Sequence, residues 1–146
     1  MNINAKSRAV AAGLFFLGIV VGIVVDRGAA LDAQGSSRVY ELRTYTAPVG
    51  KLPNLQARFR DHTIRIFNKH GMKSVGYWVP QDAPTKDNTL VYIISHDSRE
   101  QARKNWADFQ ADPEWKKVSA ESQVDGRIVS NVVSVFMDAT DYSPIK

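Results

Sequence analysis

The stretch MKSVGYWVPQDAPTKDNTLVYIISH, residues 72–96, decides the fold. Its two flanks, 72–80 and 89–96, are rich in β-branched and aromatic residues and read as strands. The segment between them, 81–88, holds Pro84 and Asp87 and reads as a turn short enough to join antiparallel neighbours. TLVYIISH is the most continuously apolar strand of the chain, which places it near the middle of a sheet. Upstream, the apolar residues of 51–70 recur at helical spacing: at about 100° per residue, Leu55, Phe59, Ile66, Phe67 and His70 fall within about 60° of Leu52. Asp61, Arg65 and Asn68 fall on the opposite side, and Gly71 stands where a helix can end in a left-handed residue. Farther upstream, RVYELRTYT at 38–46 reads as the first strand, broken by Pro48.

Downstream of the hairpin, Ser98 opens a helix with Gln101 three residues on, the pattern of a capping box in which Ser98 accepts an amide and Gln101 reaches back. Ala102, Trp106 and Phe109 share one face of that helix. Asp112 followed by Pro113 restarts a second short helix to about residue 122, because Asp caps well and proline at the first helical position has no amide to leave unpaired. Asp125-Gly126 turns the chain into a fourth strand at 127–137. The order βαββα(α)β predicts an α+β, ferredoxin-like unit: a four-stranded antiparallel sheet with both long helices on one face. The other face then carries apolar and aromatic residues with no cover, and the simplest remedy is a homodimer joined through it.

The first 33 residues differ in kind. Lys6 and Arg8 precede an uncharged run at 9–25, AVAAGLFFLGIVVGIVV, and small residues follow in GAALDAQG. This is the basic, apolar, small-residue order of an export signal. The run is 17 residues long, at the short limit of a bilayer span of about 20, so cleavage after Ala30 or Ala33 and retention as a single anchor through 9–25 are both open. In either case the globular part is expected outside the cytoplasm, in the periplasm or an equivalent space. The expected organisation is a signal peptide or anchor at 1–33, a linker at 34–37 and one domain at 38–146.

Charge and composition exclude several function classes. The net charge of +4 is mild, and Lys and Arg are interspersed with Asp and Glu rather than massed in a stripe, so no nucleic-acid footprint is present. With no cysteine, the chain has neither disulfides, thiolate metal sites nor a cysteine nucleophile. No glycine-rich phosphate loop, GxSxG elbow or HExxH motif occurs.

VYELRTYT at 39–46, FRDHT at 59–63, HGMKSVGYW at 70–78 and WADFQADPEWKKV at 106–118 together resemble the NIPSNAP family, a likeness that runs from Arg38 to Ile145. The resemblance implies a dimeric α+β barrel in which two ferredoxin-like sheets pack face to face. It implies little chemistry: family members are linked to vesicle transport, mitochondria and mitophagy signalling without an agreed catalytic activity.

Among candidate residues, strand alternation puts Glu41, Arg43 and Tyr45 on one face of the first strand and Tyr40, Leu42 and Thr44 on the other. If Leu42 packs under the helices, the acid, base and phenol point into the space between two sheets. There Arg43 would hold an anion and Glu41 would move a proton, or the two would form an ion pair that ties the sheets together. His62 and His70 are the other candidates for a general base, with His96 at the end of the third strand. His62 and His70 are eight residues apart rather than the three or four that align ligands on a helix, so no metal site is expected. His70 is expected to bond backbone or a carboxylate beside its helix end. Trp78, Trp106, Phe109 and Trp115 read as core aromatics first, with Trp78 and His70 also candidate ligand contacts beside Glu41, Arg43 and Tyr45. The expected function is a homodimeric module that binds a small molecule or a protein without a cofactor. The alternative is a cofactor-independent oxygenase or isomerase with its site inside the barrel.

Overall fold

A computed structural model of the chain describes residues 38–146, so the export segment and linker expected at 1–37 lie outside the described residues. The elements are β1 (Val39–Thr46), α1 (Leu52–Arg58, continuing through Phe59–Thr63 into Ile64–Lys69), β2 (Lys73–Trp78), β3 (Thr89–His96), α2 (Arg99–Ala111), α3 (Pro113–Glu121) and β4 (Asn131–Met137). The sheet order is β2-β3-β1-β4, antiparallel throughout, which is the ferredoxin-like arrangement expected from the order of elements. Among the described residues, no helix is long and apolar enough to cross a membrane.

The hairpin at 72–96 forms as its sequence indicates. β3 runs between β2 and β1, and Leu90, Tyr92 and Ile94 on one of its faces are buried under the helices. β2 is shortened to Lys73–Trp78 and carries a register shift between Ser74 and Gly76, so Val75 is the extra residue of a bulge. β4 begins at Asn131, four residues later than expected: Ile128 drops into the core instead, 1% exposed, and Ser130 N–H bonds Thr46 O at 2.7 Å before regular pairing starts.

The expected single α-helix at 51–70 is interrupted by a π turn at Phe59–Thr63, where Ile64 N–H reaches back to Phe59 O. Thr63 Oγ1 donates to Arg58 O at 3.2 Å, a side-chain bond across the widened turn. Phe59 and Thr63 both stay buried, so the widened turn keeps this stretch of α1 against the sheet. Gly71, at φ +74°, ends α1 as expected, with Met72 N–H bonded to Phe67 O. At α2, Ser98 accepts from Gln101 N–H at 3.0 Å, but the Gln101 side chain does not close the capping box: it donates to Asn105 Oδ1 at 2.7 Å. Asp112 caps α3 by accepting from Glu114 N–H at 2.8 Å. The core between helices and sheet is aromatic: Phe59, Phe67, Tyr92 and Phe109 form a continuous chain of ring contacts with centroids 5.0 to 6.1 Å apart.

Candidate functional site

Glu41 stands at the centre of β1 and is 1% exposed, although a carboxylate buried without partners would cost several kcal/mol. Both of its oxygens are fully used. Oε1 accepts from Arg43 Nη1 at 2.5 Å and from Ser134 Oγ at 2.6 Å, while Oε2 accepts from Trp106 Nε1 at 2.7 Å and lies 3.1 Å from His96 Nε2. The four partners come from β1 itself, β4, α2 and β3, so one carboxylate joins three strands to a helix. Asn105 Nδ2 lies 3.4 Å from His96 Nδ1, which assigns the proton facing Glu41 to Nε2. Burial pushes the Glu41 carboxyl up, but the bonds from His96, Ser134 and Trp106 and the charge of Arg43 outweigh it, and the pKa is held down at about 2.

Arg43 lies over Trp106, with Cζ 4.2 Å from the ring centroid, and its Nη2 donates to Tyr45 Oη at 3.3 Å. Tyr45 in turn meets Phe59 and Tyr92 edge-on at 5.8 and 5.3 Å. These contacts correct the facing expected of β1. Glu41, Arg43 and Tyr45 point toward the helices, and Leu42 lies on the opposite face. The Glu41–Arg43 pair is a contact within one strand, two residues apart, rather than a tie between two sheets. The physical reason is that Tyr45 supplies the aromatic surface the helix layer needs, and the helix layer supplies the donors Glu41 needs. Leu42 is left to an outer face that is itself apolar: Val133 and Val135 on it are 50% and 47% exposed.

The histidines separate. His96 is the one that meets Glu41, and it is wholly buried. His70 Nε2 lies 2.6 Å from Asp112 Oδ2, where Lys69 Nζ also binds at 2.8 Å, so the end of α1 is fastened to the α2–α3 junction. His62 is exposed on α1. No group of acids and histidines able to hold a metal occurs among the described residues. Trp106 and Trp115 pack against the core, but Trp78 does not join it: it is half exposed, and its indole lies across Gly76, where a Cβ would come within 2.5 Å of the ring. His70 and Trp78 therefore stand apart from the Glu41 cluster.

Sequence reasoning found Glu41, Arg43 and Tyr45 but not the roles of His96, Trp106 and Ser134. A usable signal was present. A tryptophan on the inner face of a helix needs an acceptor for its N–H, and Glu41 is the acid that alternation places on the same face as Tyr45.

Among the hollows of the described surface are three that Glu41 does not line. One of about 320 Å³ lies beside Phe59, Tyr77 and Trp78. A second, also about 320 Å³, runs between α1 and α3 and includes Arg58 and His62. A third of about 270 Å³ lies on the outer sheet face, where the C-terminal segment at 138–145 meets Tyr40, Val75 and Ile93.

Comparison with known proteins agrees with this architecture. No curated protein matches the chain. Among solved structures, a NIPSNAP family protein of unknown function from Agrobacterium tumefaciens aligns with 25% identity and a TM-score of 0.66, over 76% of this chain and 96% of that one. An uncharacterized NIPSNAP-like domain protein from Burkholderia xenovorans shares the fold at 17% identity and a TM-score of 0.65, over 75% of this chain and 91% of that one. The NIPSNAP family model matches residues 40–144, nearly the whole described domain, and the chain belongs to the NIPSNAP family.

Proposed function

We infer that this chain acts outside the cytoplasm as a homodimeric binding module rather than as an acid–base enzyme. The observation that carries this reading is the saturation of Glu41. A catalytic base must be able to take up a proton at working pH and must have a lone pair free for it. Glu41 has all four acceptor positions occupied, and its pKa is held at about 2. It serves as a fixed counter-charge that orients Arg43 and Trp106.

Dimerisation is supported by the outer sheet face. Leu42, Val91, Ile93, Val133 and Val135 lie on it, and no helix covers them. Pairing two such faces would bury them and leave both helix layers, with their grooves, facing solvent. The export-type sequence at 1–33 is the basis for the location proposed.

The test is an NMR titration of the Glu41 side-chain carboxyl. A carboxyl that stays ionised down to about pH 3 agrees with a structural anion, whereas one that titrates near neutrality would restore the general-base role.

A further inference from the structure

Arg58 is a buried cation without a buried anion. It is 6% exposed, and its Nε makes no hydrogen bond among the described residues. Its contacts are Ser122 Oγ, 3.4 Å from Nη1, and the ring of Trp115, 5.1 Å from Cζ. No carboxylate of the described residues comes within ion-pairing distance of it, whereas the partly buried guanidinium of Arg43 has Glu41 at 2.5 Å. Burial accordingly pulls the Arg58 pKa below its ordinary value. A buried charged donor without a protein partner leaves its hydrogen bonds to water or to a ligand. The Arg58 Nε is closed off from the surface, whereas Nη2 has no partner among the described residues and Nη1 has only Ser122 Oγ, so the Nη1 and Nη2 end of the guanidinium is the fork that can take a carboxylate with two bonds.

Arg58 lines the groove of about 320 Å³ between α1 and α3, whose lining also carries three carboxylates and a second cation, Lys51. Asp61, Glu121 and Asp125 are exposed along it. Asp61 and Asp125 make no ion pair among the described residues, and the Lys51 ammonium is engaged by the backbone carbonyl of Asp125 at 2.9 Å. A simple anion would meet Arg58 favourably and the three carboxylates unfavourably. A molecule bearing both signs satisfies both.

We propose that the α1–α3 groove binds a small zwitterion of the amino-acid type, its carboxylate on Arg58 and its ammonium among Asp61, Glu121 and Asp125. This rests on the binding-module reading and supplies the chemical class of its ligand. It does not depend on the dimer.

The experiment uses the full chain in mild detergent and three probes: 6-aminohexanoate, hexanoate and hexylamine. Thermal unfolding and tryptophan fluorescence, sensitive to Trp115, report binding. 6-Aminohexanoate is expected to raise the unfolding temperature and to bind at least about tenfold more tightly than either single-charge probe. Arg58→Met is expected to abolish the response while leaving the protein at least as stable to urea as the parent, because an uncompensated buried charge has been removed. The double variant Asp61→Asn, Glu121→Gln changes only exposed side chains and is expected to erase the preference for 6-aminohexanoate over hexanoate. The proposal is overturned by no response to 6-aminohexanoate, by a response that survives Arg58→Met, by a preference unchanged in the double variant, or by an Arg58→Met protein that no longer folds. None of these outcomes touches the Glu41 titration, so failure here and failure of the binding-module reading are separately visible.

Discussion

Trp106 on α2 donates its indole N–H to Glu41 on β1 at 2.7 Å, and the same ring lies 4.2 Å from the guanidinium of Arg43, so one helix side chain serves both members of the strand's ion pair. Trp106→Phe separates the two contributions. The phenyl ring still lies against Arg43, but Glu41 Oε2 keeps only His96. Hydrogen bonds to charged groups contribute about 1.5–3 kcal/mol, and a loss in that range is expected from urea denaturation followed by circular dichroism. An unchanged midpoint would show that Trp106 is bystander packing.

Acid should weaken the fold through Glu41. Its pKa is about 2 in the folded protein against an ordinary value of 4.5, so the folded state binds its proton less readily than the unfolded chain. The stabilisation is fully present above about pH 4.5 and is lost as pH falls toward 2, amounting to at most about 3 kcal/mol. Glu41→Gln should be less stable than the parent at pH 7, and the gap should narrow over that acid window. A residual acid slope is expected in the variant, because the bonds from Lys69 and His70 hold the Asp112 carboxyl below its ordinary range as well. Stability measured from pH 7 to pH 2.5 for both proteins decides it.

The fold was legible where local chemistry and global topology agree. β3 runs over the residues its apolar pattern marks, and Asp112-Pro113 breaks the helix where a good cap meets a residue without an amide. The facing of β1 was not legible. Alternation separates Glu41 from Leu42, but choosing which set is inward assumes that the apolar residue goes to the core. That assumption fails when both sheet faces are apolar and the buried acid brings its own cation two residues along. The π turn was hidden for a related reason: the apolar spacing of 51–70 fits an ordinary helix, and the register change depends on packing against the sheet. The site was half visible, since Glu41, Arg43 and Tyr45 share a strand, while His96, Trp106 and Ser134 arrive from three other elements.

Asp112 is the second buried acid, and it does three things at once. It caps α3 through Glu114 N–H, binds Lys69 Nζ at 2.8 Å and meets His70 Nε2 at 2.6 Å. Asp112→Ala removes all three, and the lost cap alone costs about 1 kcal/mol. Asp112→Asn keeps an oxygen for the cap and gives up the charge. Urea midpoints should therefore rank the parent above Asp112→Asn and Asp112→Ala lowest. Equal midpoints for the two variants would mean that the cap contributes nothing.

Val135 tests the outer face. It lies on β4 opposite Leu42 of β1, with Val133 beside it, and at 47% exposure it contributes little to the monomer's own core. In a face-to-face dimer Val135 would be buried against the partner sheet, where a lysine would place an unpaired ammonium in an apolar layer and bring two like charges together across the symmetry axis. Val135→Lys should therefore turn a dimer into a monomer, read as a halved protein mass by light scattering of the full chain after correction for detergent. Its far-ultraviolet circular dichroism should stay unchanged, because the lysine points to solvent in the separated subunit. A parent protein that is already monomeric at micromolar concentration would refute the dimer, and a variant that remains dimeric would move the interface away from this face.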